Sequence, residues 1–188
     1  MAKLWMLSWV ELLVCWFAWW YPFLFRAPHV QRRPSVTLAG PTRVGLLLQG
    51  LAIFLAFVCH LPPGQRPGAA RMIASMALGP LAPLLAWNSV SHLGRQFRIN
   101  AGLYEDHQLV RTGAYTVVRH PIYASLLAIF ASTLVLLTVW KWALVSMAFF
   151  LAGTEIRVRT EDRLLASRFG RDFEEYRRKV PAYLPWIH

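Results

Sequence analysis

Long apolar blocks, separated by polar or proline-containing stretches, set the pattern of this chain. The first is LWMLSWVELLVCWFAWWYPFLF, residues 4–25, followed by the polar loop RAPHVQRRPSVTLAGPTR. The second runs over about 44–61, VGLLLQGLAIFLAFVCHL, and the short turn PPGQRPG leads to a third at about 72–93. Pro80 and Pro83 predict a kink in that third block, which a span packed against neighbours tolerates. After a polar stretch, residues 121–157 are again apolar, interrupted only near Trp140-Lys141-Trp142. This is too long for one ordinary span, whereas two helices of about 17–18 residues each would cover roughly 26 Å, close to the hydrocarbon thickness. The pattern predicts a tight helical hairpin turning at Lys141, and in all an all-α polytopic membrane protein of about five transmembrane helices. From residue 160 the character changes. Leu165, Phe169, Phe173 and Tyr176 recur at helical spacing with Arg and Glu opposite, predicting a C-terminal amphipathic helix, on the membrane surface or packed on the domain, that Pro181 ends.

Composition supports a membrane reading. The 188 residues are 56% hydrophobic with a mean hydropathy of +0.39, and the charge is +11. Such a basic balance can mean nucleic acid, but no recognition motif accompanies it, and the basic residues flank the apolar blocks. With five spans and the N-terminus outside, only Lys3, Arg66, Arg71 and Lys141 of the 20 Lys and Arg residues fall on the outer side. That bias predicts a cytoplasmic C-terminus. The first block is too long for a signal peptide, carries Glu11 and shows no small-residue cleavage site, so it reads as a retained span. Cys15 and Cys59 lie within apolar blocks without CxxC or metal-ligand spacing and read as packing residues. No metal is expected.

The hairpin brings distant charges together. A span leaving His120 and a span returning to Arg157 end on the same membrane face, so RHPIY (119–123) and IRVRTEDRLL (156–165) can meet. Arg119, His120, Arg157, Glu161 and Asp162 would cluster there, with Arg157 and Glu161 as an i,i+4 pair. Taken alone, this could be an interfacial rim of ion pairs or a functional site.

Two stretches carry a resemblance. HQLVRTGAYTVVRHPIY (107–123) fits the pattern H-x-L-V-x-x-G-x-Y-x-x-x-R-H-P-x-Y. The second, TEDRLLASRFGRDFEEYRRKVP (160–181), follows R-x-x-x-E-E-x-x-L counted from Arg157, with Asp162 in place of the second glutamate, and then fits F-G-x-x-[YF]-x-x-Y-x-x-x-V-P. In order and spacing they resemble the isoprenylcysteine carboxyl methyltransferase family, over about residues 100–185; phospholipid methyltransferases and some sterol reductases share parts of this design. The resemblance implies an integral membrane methyltransferase that binds S-adenosyl-L-methionine in a cytoplasm-facing pocket. The first three spans carry no comparable signature, so the chain divides into three N-terminal transmembrane helices in 1–93, read from hydropathy, and a cofactor-binding half in 94–188, which the resemblance implies. The pocket lining it implies comprises His107, Gln108, Leu109 and Val110, the cofactor-contacting Tyr115, the run His120, Pro121, Ile122 and Tyr123, and the acid Glu161. Arg157 matches the arginine that meets the substrate carboxylate, a catalytic position. Asn100 falls where some members carry a cofactor-binding glutamine. Asp162, which the resemblance also implies to be cofactor-binding, stands where the family usually has a second glutamate, keeping the charge but shortening its reach by a methylene.

The residue types suit that chemistry. A carboxylate such as Glu161 suits the cofactor's ammonium, and the faces of Tyr115 and Tyr123 suit its sulfonium and adenine. Gly113 allows close backbone approach or simply makes a turn. His120 could act as a base, but a carboxylate nucleophile needs none, which favours a binding role. The expected acceptor is a lipophilic small molecule or lipid-modified substrate reached from the surrounding membrane lipids, most simply an isoprenylcysteine-like carboxylate. The alternatives are a lipid amine or small thiol as acceptor, a reductase of the related sterol-reductase design, or a non-catalytic membrane protein retaining the fold. Glu11, Gln49, Asn88 and His92, polar residues at or near membrane depth, are candidates for substrate contact or for interhelical hydrogen bonding.

Overall fold

The computed structural model describes residues 1–26, 36–37, 39–94, 102–103 and 108–185. The protein is an all-α polytopic membrane protein. Its helices are α1 (Ala2–Tyr21, continued by a π-helical turn over Pro22–Arg26), α2 (Ala39–Val58), α3 (Ala69–Leu78), α4 (Leu81–Leu93), α5 (Pro121–Leu137), α6 (Trp140–Phe169) and α7 (Arg171–Lys179). Among the described residues, two short strands, β1 (Val36–Thr37) and β2 (Gly102–Leu103), pair antiparallel, and three helices are long and apolar enough to cross a membrane: Ala2–Arg26, Gly40–Val58 and the paired α3–α4 unit Ala69–Leu93. The shorter apolar α5 and the first half of α6 run beside them.

Helix α5 is the spine. Most of its positions are buried on all sides, because it contributes to two cores at once. Ile129, Leu136 and Leu137 pack with Leu12, Cys15 and Trp19 of α1, Met72 of α3 and Ala82 and Ala86 of α4. Phe130 and Leu134 pack with Ala52 and Ala56 of α2 and Phe150 of α6, the two phenyl rings stacked at 4.5 Å. The buried stripe of α1 is Ser8, Leu12, Cys15 and Trp19, while Leu7, Val10, Leu13, Val14 and Phe17 face outward to lipid. Since lipid is as apolar as these side chains, hydrogen bonds between helices add specificity. Trp16 Nε1 donates to Thr133 Oγ1 (3.1 Å), Trp19 Nε1 to Ser125 Oγ (3.0 Å), and Ser75 and Ser132 share a 2.9 Å bond.

Three sequence expectations are corrected. The kink falls at Gly79–Pro80; Pro83 sits in the first turn of α4, where a missing N–H leaves no bond unmade. A Cβ at position 79 would stand 2.9 Å from Glu11 Oε1, so glycine admits α1 at the break. The hairpin turns at Thr138–Val139, not Lys141. Thr138 Oγ1 donates to the Ala56 carbonyl (3.0 Å), and Val139 N to the Cys59 carbonyl (3.1 Å). Arg71 donates from Nε and Nη2 to the Val135 and Thr138 carbonyls (2.6 Å each), satisfying the end of α5, so α6 begins at Trp140. Finally, no separate helix starts at 160. The fifth span continues as α6 to Phe169, about 45 Å of helix against a hydrocarbon core of about 30 Å. Gly170, with φ +50°, then redirects the chain into α7.

The expected apolar face does form across that break. Leu165 and Phe169 of α6 pack with Phe173 and Tyr176 of α7, Val180 and Leu109. This chooses packing on the domain over lying on the membrane surface, and closes the C-terminal segment over the start of α5.

Candidate active site

The site lies where α5 begins and α6 leaves the apolar layer. Pro121 occupies the first position of α5, where proline is at home, and it holds His120 just outside the helix at φ −125°, ψ 64°. The two preceding amides are freed from helix bonding and pair with the C-terminal segment. Arg119 N donates to the Pro181 carbonyl and His120 N to the Ala182 carbonyl, both at 2.8 Å. That backbone clasp turns the side chains of Arg119 and His120 onto α6.

There they meet two adjacent acids. His120 Nε2 lies 2.8 Å from Asp162 Oδ1, and Nδ1 lies 3.3 Å from Glu161 Oε2. Arg119 Nη2 pairs with Asp162 Oδ2 at 3.0 Å and its Nη1 donates to the carbonyls of Val180 (2.5 Å) and Arg177 (3.2 Å). Burial on its own would push the His120 pKa down. The hydrogen bonds and charges of Asp162 and Glu161 more than reverse this and raise it to about 9, so the ring is a cation at neutral pH. Burial would likewise raise Asp162, but the hydrogen bonds and charges of His120 and Arg119 hold it below its ordinary value.

Glu161 and Asp162 divide the work. The Asp162 side chain is 11% exposed and turned inward onto Arg119 and His120; that of Glu161 is 27% exposed and also accepts a hydrogen bond from the Tyr123 hydroxyl. The Tyr123 ring in turn carries the Arg157 guanidinium at 4.8 Å from its centroid. Arg157 is itself buried and donates from Nη1 to Gln49 Oε1 at 2.9 Å.

The turn over Gly113–Thr116 forms a further wall. Gly113 has φ +62°, and a Cβ there would stand 2.5 Å from the His92 ring and 2.6 Å from Asn88 Oδ1. Glycine therefore makes the turn and admits the His92 and Asn88 side chains against it. Asn88 Oδ1 accepts from Ala114 N (2.6 Å), and His92 Nδ1 donates to the Asn88 carbonyl (2.8 Å), so these α4 residues buttress the turn. Tyr115 is buried behind it, and its carbonyl accepts from Tyr176 OH at 2.6 Å. Burial first, and then the Glu161 charge, push the Tyr115 pKa up, so it remains a neutral phenol.

Of the residues singled out from sequence, Arg157, Tyr123, His120, Glu161 and Asp162 thus meet directly. Pro121 and Ile122 belong to the first turn of α5, and Tyr115 and Gly113 to the adjacent wall. Leu109 joins the α7 core, with Val110 half-buried and Gln108 exposed beside it. Asn100 and His107 lie outside the described residues. Sequence reasoning did not single out Thr154, Gly45 or Gly153, whose type and spacing carry no chemical motif. A separate cavity of about 510 Å³, lined by Trp5, Trp9, Phe57, His60, Arg66 and Leu137 among others, shares no residue with this cluster. It opens at the other end of α5, about 25 Å from His120 at 1.5 Å per residue.

Comparison with known proteins follows the same residues. Residues 76–167 match the isoprenylcysteine carboxyl methyltransferase (ICMT) family. The chain is 39% identical over 94 residues to protein-S-isoprenylcysteine O-methyltransferase of Schizosaccharomyces pombe, covering 44% of this chain and 35% of that protein. It is 30% identical over 125 residues to protein-S-isoprenylcysteine O-methyltransferase B of Arabidopsis thaliana, covering 64% and 59%. It is also 38% identical over 82 residues to the cobalt-zinc-cadmium resistance protein CzcN of Cupriavidus metallidurans, covering 43% and 37%. The chain spans less than two thirds of the length of each of these relatives.

Proposed function

We propose that the chain, whose residues 76–167 match the isoprenylcysteine carboxyl methyltransferase family, is an S-adenosyl-L-methionine-dependent methyltransferase of the membrane. Its acceptor is a lipophilic carboxylate of the isoprenylcysteine type, and its site faces the cytoplasm. The observation that carries this reading is the pairing of opposite charges at one mouth. Arg157, stacked on Tyr123, lies one helical turn before Glu161, whose carboxylate is half-open beside His120.

The donor set fits the cofactor. Glu161 offers a partly exposed carboxylate for an ammonium group, held in orientation by Tyr123 and His120. The Gly113–Thr116 turn, Tyr115 and the 108–110 segment supply backbone and apolar surface for the remainder, and residues 94–188 as a whole make the cofactor-binding half. Bound S-adenosylmethionine would supply an electrophilic methyl group, its S–CH3 bond breaking as an O–CH3 bond to the acceptor forms. The protein's contribution is positioning and water exclusion. Arg157 holds one carboxylate face of the acceptor by paired N–H groups. His120, as a buried cation between two carboxylates, orients Glu161 and takes no proton from the acceptor. Asp162 acts at one remove, fixing His120 and Arg119.

Methylation of an S-prenylated cysteine by the purified protein, with labelled cofactor, tests this directly. The expected product is a methyl ester that releases its label in mild base. Label recovered instead in a base-stable N-methyl or S-methyl product would replace the carboxylate by an amine or thiol. Failure to bind S-adenosylmethionine in calorimetry would remove the enzyme reading altogether.

A further inference from the structure

The family match begins at residue 76, yet a side chain well outside it reaches the mouth of the site. Gln49, midway along α2 and only 3% exposed, uses both ends of its amide. Its Oε1 accepts from Arg157 Nη1 at 2.9 Å and its Nε2 donates to Thr154 Oγ1 at 2.8 Å. A guanidinium has donors only, so the carbonyl must face Arg157 and the NH2 must face the threonine. An amide this deep in an apolar layer is costly unless bonded in this way.

The helix pair does not need that amide in order to close. Gly45 and Gly153 bring α2 and α6 together. A Cβ at Gly45 would fall 2.5 Å from Arg157 Cγ and 2.7 Å from the Gly153 carbonyl, and one at Gly153 2.6 Å from the Gly45 carbonyl. An apolar side chain of similar volume at position 49 would serve packing equally well. What the amide adds is orientation without charge. The stem of Arg157 lies against the α2 backbone at Gly45, its guanidinium lies over the Tyr123 ring, and the Gln49 carbonyl fixes its rotation.

We infer that Gln49 is a positioning residue for the methyl acceptor: its neutral amide aims the Arg157 guanidinium at the acceptor carboxylate without setting a negative charge of its own beside it. This rests on the reading of Arg157 as the carboxylate anchor. It also gives the second span a polar contact with a site otherwise built from residues 88–182.

The test uses the full chain, an S-farnesyl cysteine carboxylate and S-adenosylmethionine, with Gln49→Met, Gln49→Glu, Arg157→Lys and the Met/Lys double variant. Gln49→Met should raise the acceptor KM about tenfold, as for one lost charge-assisted hydrogen bond. Cofactor affinity and melting temperature should stay near wild type. In the double variant the two losses should not add, since Gln49 acts through Arg157. Gln49→Glu can still accept from Arg157 and bond Thr154, so it should keep the melting temperature, yet its carboxylate would compete with the acceptor and raise the KM at least as much. A merely structural Gln49 gives the opposite for glutamate, an unchanged KM. That result, or fully additive losses in the double variant, overturns the inference while leaving the Arg157 role standing. Should the methionine variant not fold, the glutamate variant decides alone. A wild-type acceptor KM in Arg157→Lys marks instead the failure of the underlying reading, and the inference falls with it.

Discussion

Glu161 and Asp162 are neighbours in the chain and yet face different partners, because an α-helix turns about 100° per residue. Glu161 turns to Tyr123 and the open side; Asp162 turns to Arg119 and the C-terminal clasp. Their substitutions should separate accordingly. Glu161→Gln should weaken S-adenosylmethionine binding in calorimetry by roughly 1.5–3 kcal/mol, the size of a hydrogen bond to a charged group, with little change in melting temperature. Asp162→Asn should instead destabilise the protein, since it leaves His120 and Arg119 short of a counter-charge. The pH dependence follows from the same cluster. The folded His120 pKa, about 9, stands above its ordinary 6.5, so the stabilisation it contributes is complete below that ordinary value and is lost as pH rises through about 9. Asp162 is depressed below its ordinary 3.8, so its contribution is present above that value and is lost as pH falls through the lower folded one. Melting temperature should therefore decline between about pH 7 and 10 in the wild type, and that alkaline decline should flatten in His120→Gln. An unchanged slope in that variant would mean that other groups govern it.

At the scale of elements, two glycines decide how α2 meets α6. Gly45 and Gly153 face each other with no room for a Cβ, and the partner atoms are backbone carbonyls and the Arg157 stem. Carbonyls cannot swing aside as a flexible side-chain end can, so the helices themselves must separate. Gly153→Leu should cost about 1–3 kcal/mol of stability, as overpacking does, and should displace Arg157 from Gln49. Its measure is the loss of acceptor affinity together with a lowered melting temperature. The length of each element was only partly legible from the sequence. Apolar runs located the spans because burial in lipid requires them. The hairpin turn at Thr138–Val139 was misassigned to Lys141 because its stability comes from Arg71, Ala56 and Cys59, which lie far away in sequence. Similarly, the fifth span and the tail helix were separated at residue 160, where polarity changes, although the backbone continues to Gly170.

For the molecule as a whole, the alternation of helices puts the N-terminus of α1, the 59–68 loop and the Thr138–Val139 turn at one end. The start of α5, the end of α6 and α7 lie at the other. The proposed cytoplasmic site requires that second end to face inward. A cysteine introduced at exposed Gln65 should react with an impermeant reagent added outside, whereas one at exposed Gln108 should not. The reverse pattern would put the site on the side away from its cofactor. Of the four cations assigned to the outer face, Arg71 is more than a flank, since its guanidinium closes the end of α5.

The sequence alone determined the membrane class, the number and order of the apolar segments and the meeting of RHP with the two acids. All of these follow from local hydropathy, helix length and a hairpin's obligation to return the chain to the face it left. The two-part pattern around 107–123 and 157–181 also carried the resemblance to the isoprenylcysteine carboxyl methyltransferase family, whose model matches residues 76–167, because each part keeps its chemistry at fixed spacing. Only the tertiary structure decided that Asp162 points inward while Glu161 faces the opening, that Asn88 and His92 support Gly113, and that Gln49 reaches Arg157. Each of these depends on helix rotation and close approach between segments distant in sequence. No periodicity within one segment encodes such contacts; they arise where small residues let two helices come near enough for one polar side chain to satisfy another.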